Sequence, residues 1–244
     1  MIGVGIVTYN NPRRFSLCWP TVWAQLCQTH AVDYMCAYED GSSEPHRTQY
    51  RAMAEAMPAI FPLTMSDGVN RGVGAAKNVL LRKMLDYGCT DLFLCEDDMQ
   101  ILSPKAVTEY VRVGRERGLH HLSFALHGPM NREAGPIQVD GDVTYWTAGI
   151  GAWSYYTREG LEKVGLHDVR FFNAFEHLDL TYRFAAAGLT SPFWRFADVT
   201  GSEQWIREQP DAMETSTHRG KAGWFPNLQK NKAIWNAKHP ECSL

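Results

Sequence analysis

Residues 91–98 read DLFLCEDD, an apolar run that leads directly into three acids. The run has the length of one strand and is bounded by Gly88 and by the acids, so it predicts a buried strand. In open α/β sheets, ligands collect beyond the carboxyl ends of the strands. The acids Glu96, Asp97 and Asp98 therefore begin at the point where a ligand would bind.

The sequence before this run repeats the same order of strand, polar turn and helix. We predict strands at residues 2–8, 31–38 and 60–66, and helices from residue 12 or 13, at residues 45–57 and at residues 70–87. This alternation predicts an α/β fold with a largely parallel sheet. Thr8, Tyr9 and Asn10 follow the first strand, and Asp40 follows the second. These polar residues and the acids at residues 96–98 should converge on one edge of the sheet.

Composition limits the class of protein. The 244 residues are 45% hydrophobic, 12% aromatic and 21% charged, which indicates a globular chain of one-domain length. The net charge of −3 argues against a protein that coats nucleic acid. Six cysteines without paired CxxC spacing predict reduced thiols. No apolar run reaches the roughly 18–20 residues of a membrane helix or forms a signal peptide, so we expect a soluble, cytoplasmic protein without integral membrane contact.

The second half of the chain is less regular. We predict a strand at residues 149–156 and helices at residues 158–164 and 175–187. Residues 127–142 are rich in Gly, Pro, Asn and Asp, which indicates a long loop bordering a site. Residues 201–218 are polar with few apolar repeats, which indicates a mobile segment.

Three adjacent carboxylates repel one another unless a cation or hydrogen-bond donors compensate them. Oxygen ligands in this number suit Mg²⁺ or Mn²⁺, which retain water and share coordination with substrate phosphates. The alternative is a solvated acidic turn.

Two further features suit a nucleotide. Asp40 could accept a hydrogen bond from a nucleobase N–H, and the ring of Tyr9 could stack on the base, although an Asx-turn residue and an ordinary surface aromatic explain them equally well. The segment NRGVGAAKN at residues 70–78 is a small-residue helix start with Arg71 and Lys77, which favours an anion or a base edge. It lacks the Walker spacing, and close helix–sheet packing is the alternative explanation of its glycines.

Six segments follow one another in order: VGIVTYNNP, YEDGSSE, NRGVGAAKN, LFLCEDDMQI, GIGAWSYYTREGLEKVGLHDVRFF and FEHLDLTYRFAAAGL. Together they resemble the nucleotide-sugar transferases of the GT-A fold, most closely glycosyltransferase family 2, over roughly residues 2–190. The resemblance implies a Rossmann-like α/β fold with a mixed, mostly parallel sheet flanked by helices. It implies a nucleotide-sugar-binding half at residues 1–110 and an acceptor-binding and catalytic half at residues 111–244 of one domain.

The resemblance also implies roles for individual residues. The nucleotide would contact Thr8, Tyr9, Asn10, Asp40, Arg71, Lys77 and Asp97. Asp98, with Glu96 or Asp97, matches the metal site, and His218 resembles a late histidine ligand, with a solvated loop histidine as the alternative. A divalent cation there would stabilise negative charge on the leaving nucleoside diphosphate.

The identity of the catalytic base is open, because His177 stands where the family usually has an aspartate. Glu176 and Asp179 lie three residues apart on one helical face, where a carboxylate could take the proton of an acceptor hydroxyl. His177 could itself be a base near neutral pH, tuned by Glu176. We rank Glu176 first, then Asp179, then His177. Arg183, one turn beyond Asp179, suggests a structural ion pair.

Trp146, Gly149 and Trp153 are candidates for the acceptor side, with core packing as the alternative for the two rings. The resemblance implies a metal-dependent, inverting transfer of a sugar from a nucleotide diphosphate sugar to a hydroxyl acceptor. The acceptor would be a glycan or lipid-linked saccharide, or, as a minority choice, a modified base in phage-type DNA. A catalytically weak nucleotide-sugar-binding module remains an alternative. A second alternative is a sugar-nucleotide nucleotidyltransferase, which normally has a glycine-rich basic signature after the first strand. The segment VTYNNPRR at that position does not have this signature. No pattern predicts the oligomeric state.

Overall fold

The computed structural model describes residues 1–193, 195–212, 214, 216–217 and 221–242. His218, the predicted late metal ligand, lies outside the described residues.

Strands and helices alternate through the first half, as predicted. The strands are β1 (Ile2–Thr8), β2 (Tyr34–Glu39), β3 (Leu63–Met65), β4 (Asp91–Glu96), β5 (Met99–Ile101), β6 (His121–Ser123), β7 (Gln138–Asp140), β8 (Val143–Trp146), β9 (Trp153–Thr157), β10 (Phe196–Val199) and β11 (Ile206–Glu208). The α-helices are α1 (Pro12–Val22), α2 (His46–Ala56), α3 (Val73–Tyr87), α4 (Lys105–Arg117), α5 (Met130–Ala134), α6 (Arg158–Val164), α7 (Glu176–Ala186) and α8 (Trp224–Lys238).

The central sheet has the strand order β3-β2-β1-β4-β9-β6. Strands β1 to β4 are parallel, and β9 runs antiparallel to both β4 and β6. The register places Thr8 opposite Glu39 and Val7 opposite Glu96, so the carboxyl ends of β1, β2 and β4 meet at one edge. This mixed, mostly parallel sheet confirms the predicted fold class.

Hydrophobic layers cover both faces of the sheet. Phe93 and Cys95 of β4 belong to the cluster that packs under α1, α2 and α4, whereas Leu92 and Leu94 belong to the cluster under α3, α6 and α7. Successive residues of a strand point to opposite faces, so a strand buried on both faces is apolar throughout. The run DLFLC is therefore continuous because each of its faces meets a layer of helices.

Helix α4 crosses the predicted division between residues 110 and 111, and β6 and β9 complete the sheet begun by the first half. The chain within the described ranges contains no helix with the length and hydrophobicity needed to cross a membrane. All six cysteines are free thiols, as predicted.

Three sequence predictions are wrong in detail. The long loop predicted at residues 127–142 contains α5 and β7, because the backbone of β7 pairs with β8 although its side chains are exposed. The strand predicted at residues 149–156 begins only at Trp153. The predicted mobile segment contains β11, which pairs with β5, and the buried Gln209. Pairing with a neighbouring strand of the sheet orders β7 and β11, and the composition of these short segments does not reveal the partner.

Candidate active site

A cleft of about 610 Å³ opens at the carboxyl ends of β1, β2 and β4. The predicted site residues in its lining are Thr8, Tyr9, Asp40, Glu96, Asp97, Asp98, Gly149, Glu176 and His177. The opposite wall comes from residues 147–150, from the start of α7 and from Trp224 and Leu228 of α8. The structure thus brings most of the predicted residues into one cavity.

Asp40 is buried at one end of the cleft, with 2% of its surface exposed. One of its carboxylate oxygens accepts a hydrogen bond from the backbone N–H of Arg71 at 3.3 Å. Burial raises the pKa of Asp40 to about 6, against the opposing effect of hydrogen bonds from the backbone of Arg71 and Gly72. Gly41 has φ +73°, and a Cβ there would lie 2.3 Å from the backbone N of Asn70, so only glycine permits this close turn.

Asn10 and Arg71 do not line the cleft. The backbone N–H of Asn10 donates to Ser42 and its side-chain oxygen accepts from the backbone of Ser43, so Asn10 joins two loops. The guanidinium of Arg71 makes two 2.7 Å hydrogen bonds to the carboxylate of Asp67 at the surface. Both side chains have partners within the protein in this arrangement, and their contacts with a nucleotide stay a prediction.

Three backbone amides before and at the start of α3 already have partners within the protein. The backbone N–H groups of Arg71, Gly72 and Val73 donate to Asp40, Asn70 and Asn173 respectively. The site for an anion or a base edge predicted at residues 70–78 stays a prediction.

Each acid of the turn at residues 96–98 has a different protein partner. Glu96 accepts a hydrogen bond from the ammonium of Lys77 at 2.6 Å. Asp97 accepts one from the hydroxyl of Thr8 at 2.5 Å, and burial with the neighbouring Asp98 raises the pKa of Asp97 well above its usual value. The Oδ2 atom of Asp98 lies 3.0 Å from Nε2 of His127.

His127 is a site residue that sequence reasoning missed. Its ring is buried in the cleft wall, with Nδ1 at 3.7 Å from Oε2 of Glu208. Burial alone would lower the pKa of His127, but the charge and hydrogen bond of Asp98 outweigh it and raise that pKa. The same contact holds the pKa of Asp98 below its usual value, against the effect of burial. The only signal for His127 in the sequence was its position at the start of residues 127–142, the segment predicted to border a site.

Gln209 and Arg14 are also buried against the acidic turn, and neither was predicted. The backbone N–H of Gln209 donates to the carbonyl of Asp98 at 2.7 Å, and its side-chain amide donates to the carbonyl of Asp97 at 2.9 Å. Arg14 lines the cleft, and its guanidinium lies 3.6 Å from Asp211.

The residues around Asp98 fit a divalent cation that shares its coordination with a substrate. The described side chains include no group of three or more His, Cys, Asp or Glu that could hold a metal ion unaided. Mg²⁺, however, is usually held by one or two carboxylates together with water and substrate phosphates. Oδ1 of Asp98 is a buried oxygen without a hydrogen-bond partner among the described residues, and it suits such a ligand.

Glu176 begins α7 beneath the opposite wall. Its Oε1 atom lies 3.3 Å from Nδ1 of His177 and 3.6 Å from Nζ of Lys77, whereas Oε2 is buried and has no partner among the described residues. Burial would raise the pKa of Glu176, but the hydrogen bond and charge of His177 and the charge of Lys77 hold it well below its usual value. Glu176 is therefore an ionised carboxylate whose Oε2 atom is not held by another described group.

His177 has contacts at both ring nitrogens. Nε2 lies 2.7 Å from the carbonyl oxygen of Gly149, and since a carbonyl only accepts, Nε2 carries a proton. Nδ1 faces Glu176. The ring thus joins α7 to residues 147–152 and leaves neither nitrogen open for an acceptor hydroxyl.

Asp179 lies outside the cleft and is fully buried. Its carboxylate contacts Arg183 at 2.9 Å, Lys238 at 2.7 Å and His239 at 2.8 Å. These three contacts favour a structural role for Asp179 over that of the alternative base, which stays a prediction. The predicted helical pair with Arg183 is confirmed.

Trp153 and Trp146 do not line the cleft either. The ring of Trp153 is fully buried and packs against Phe93, 5.2 Å between ring centroids, so its predicted acceptor contact is wrong. Trp146 packs behind Phe196, which does line the cleft. Gly149 is in the lining, and a Cβ there would lie 2.3 Å from the ring of Phe196.

No family model and no curated protein matches this chain in sequence. Several solved structures are similar to it. The mannosyltransferase PcManGT from Pyrobaculum calidifontis, solved with GDP-Man and Mn²⁺, gives a TM-score of 0.63 at 15% identity over 100% of this chain and 65% of that chain. Residues 1–349 of TarS from S. aureus give 0.58 at 11% identity over 98% of this chain and 72% of that chain. GalNAc-T7 with UDP, GalNAc and Mn²⁺ gives 0.59 at 10% identity over 82% of this chain and 42% of that chain.

The chain thus has the GT-A fold of the nucleotide-sugar glycosyltransferases, as the sequence resemblance implied. It spans 65% of the length of the mannosyltransferase and 42% of that of GalNAc-T7. At this level of identity the similarity establishes the fold, and the chemistry has to be argued from the cleft.

Proposed function

We propose that this protein is a metal-dependent glycosyltransferase that moves a sugar from a nucleotide diphosphate sugar to a hydroxyl acceptor, with inversion at the anomeric carbon. The observation that carries the proposal is the single cleft in which Asp40, Asp98 and Glu176 line different parts of the wall. Asp40 suits a nucleobase, Asp98 suits a metal-bound diphosphate, and Glu176 suits an acceptor hydroxyl. Of the neighbours with this fold, the mannosyltransferase was solved with GDP-Man and Mn²⁺, and GalNAc-T7 with UDP, GalNAc and Mn²⁺.

The donor is proposed to lie along the first half of the chain, residues 1–110. Asp40 would accept an N–H of the nucleobase, Tyr9 would contact the ring, and Thr8 with Asp97 would border the ribose. Asp98 would hold a divalent cation, Mn²⁺ or Mg²⁺, which neutralises charge on the leaving nucleoside diphosphate when bound. Lys77 and Glu96 would support this region as an ion pair rather than contact the donor.

The acceptor is proposed to enter past residues 147–150, Leu178 and Trp224, in the half at residues 111–244. Oε2 of Glu176 would take the proton of the attacking hydroxyl, since Asp179 and His177 are already occupied. Single displacement needs one base and no covalent intermediate, and Glu176 is the carboxylate proposed for that role on this side of the cleft. The acceptor would be a glycan, a lipid-linked saccharide or a modified base in DNA.

A thermal-shift screen of nucleotide sugars with and without Mn²⁺ tests this function, because a ligand that binds only the native state raises Tm. We expect at least one donor to raise Tm, and to do so more strongly with Mn²⁺. Release of nucleoside diphosphate should then be measured with that donor. Donor binding without turnover in the presence of candidate acceptors would favour a binding module, and no binding at all would contradict the proposal.

A further inference from the structure

The carboxylate of Asp98 is held through one oxygen only. Nε2 of His127 lies 3.0 Å from Oδ2, and because a carboxylate only accepts, Nε2 carries the proton of this hydrogen bond. Oδ1 is buried and has no hydrogen-bond partner among the residues that the structure describes. The contact therefore divides the two oxygens into one that is anchored and one that is open to a ligand.

The ring of His127 is buried, and among the described residues only its Nε2 atom makes a hydrogen bond. Its side chain is 4% exposed, and Nδ1 lies 3.7 Å from Oε2 of Glu208. This oxygen accepts the backbone N–H of Gly128 at 2.8 Å, so Glu208 holds the residue next to His127. Rotation of the imidazole would break its contacts with both carboxylates.

Strand β11 and the residue after it connect the backbone of Asp98 with the carboxylate beside His127. Glu208 of β11 pairs with Met99, the residue after Asp98. The next residue, Gln209, donates its backbone N–H to the carbonyl of Asp98. One segment thus fixes the backbone of Asp98 directly and its side chain through His127.

We propose that His127 is a positioning residue for Asp98, which it orients so that Oδ1 faces the divalent cation of the nucleotide-sugar complex. This inference rests on the proposed function. Hydrogen-bonded partners of metal ligands set the orientation of those ligands, and their loss typically costs about 10–100-fold in metal affinity. Glu208 acts one step further out, because it accepts the backbone N–H of Gly128, the residue next to His127.

Two amide substitutions separate this role from general packing. In His127→Gln the side-chain amide can place an N–H where Nε2 stood, whereas in His127→Asn the amide is one methylene shorter and falls short of Asp98. Both variants keep a polar side chain of similar character. His127→Leu, which has no donor, serves as a second loss variant if His127→Asn does not fold.

The measurement is the affinity of the protein for Mn²⁺ in the presence of saturating UDP or GDP, followed by electron paramagnetic resonance. We expect His127→Asn and His127→Leu to bind Mn²⁺ about 10–100-fold more weakly than the wild type. His127→Gln should stay within about threefold of the wild type. Affinity for uridine or guanosine without metal should be unchanged in all three, which also shows that the fold is retained.

The outcomes are distinct. If His127→Asn or His127→Leu binds Mn²⁺ as tightly as the wild type, the positioning role is overturned. If His127→Gln is as weak as the loss variants, the proposal also fails, since the ring nitrogen would then be needed as a metal ligand. If the wild type itself binds neither nucleotide with any dependence on Mn²⁺, the proposed function fails first.

Discussion

At the scale of the residue, the acidic turn is stabilised by separate partners for each carboxylate. Lys77 neutralises Glu96, Thr8 donates to Asp97, and His127 pairs with Asp98. Adjacent carboxylates are tolerated when charges or donors compensate them, and here the protein supplies both. Under the proposed function, a cation at Asp98 would therefore serve donor chemistry rather than the fold.

Glu176→Gln should reduce turnover by about 10²–10⁴-fold with little change in donor affinity, because it removes the proposed base and keeps the shape of the side chain. Initial rates and donor affinity with Mn²⁺ measure the two effects separately. A variant that retains more than about a tenth of the wild-type turnover would contradict this role.

Asp179→Asn should act on stability instead. Removing one partner of a buried ion pair costs about 3–5 kcal/mol, and Asp179 contacts two cations, Arg183 and Lys238, and the imidazole of His239. The pKa of Asp179 is lowered in the folded state, so its contribution is present at neutral pH and is lost as the pH falls below about 3.9. Urea unfolding at pH 7 measures the change. A loss of turnover at unchanged stability would restore Asp179 as a catalytic candidate.

Asp40 should make donor binding depend on pH. Its pKa is raised to about 6, and the ionised form accepts the N–H of a nucleobase more strongly than the neutral acid does, so affinity should rise as the pH increases from about 5 to 7. The intact nucleotide sugar is the correct probe, because its diphosphate diester lacks the terminal phosphate ionisation near pH 6. Calorimetry on the wild type and Asp40→Asn measures this. Equal pH dependence in both proteins would exclude Asp40 as the cause.

At the scale of the element, Lys77 joins α3, the end of β4, the start of α7 and residues 147–152. It donates to Glu96 at 2.6 Å and to the carbonyl of Gly151 at 3.1 Å, and it lies 3.6 Å from Glu176. The donor and acceptor sides of the cleft therefore share one buried cation. The sequence predicted Lys77 as a nucleotide contact, because a cation in a small-residue helix start does not reveal which acids fold around it.

Lys77→Met should destabilise the protein by about 3–5 kcal/mol, because two acids lose their buried counter-charge while the alkyl stem is kept. Lys83→Met on the same helix is the matched control, since Lys83 is half-buried and does not line the cleft. Urea unfolding of both variants measures the difference. Equal stability of the two variants would show that Lys77 is not the electrostatic link described.

The elements that the sequence predicted well are those whose own pattern decides them. β1, β4 and α3 are apolar runs or long periodic helices, and their ends fall within a few residues of the predicted positions. β7 and β11 are short, and they exist because β8 and β5 lie beside them. His127 and Gln209 could not be assigned for the same reason, since their partners are brought near by strand pairing.

At the scale of the whole molecule, the net charge is only −3, but the acidic residues are unevenly placed. Several of them surround one cleft. Asp40, Glu96, Asp97, Asp98 and Glu176 all line it, together with the cationic Arg14. The convergence of strand ends was predictable, because parallel strands deliver their carboxyl ends to one edge. The sequence could not predict which oxygen of each acid is left without a partner, because that depends on side-chain contacts across the whole chain.

The proposed function depends on a cation that Asp98 binds and that donor cleavage needs. It is tested most directly by Mn²⁺-dependent release of nucleoside diphosphate from the donor found in the thermal-shift screen, comparing wild type, Asp98→Asn and the exposed control Asp86→Asn. We expect the wild type and Asp86→Asn to release nucleoside diphosphate with the same dependence on Mn²⁺. Asp98→Asn should lose at least about 100-fold in rate and retain its fold. Release by Asp98→Asn at the wild-type rate and with the wild-type Mn²⁺ dependence would contradict it.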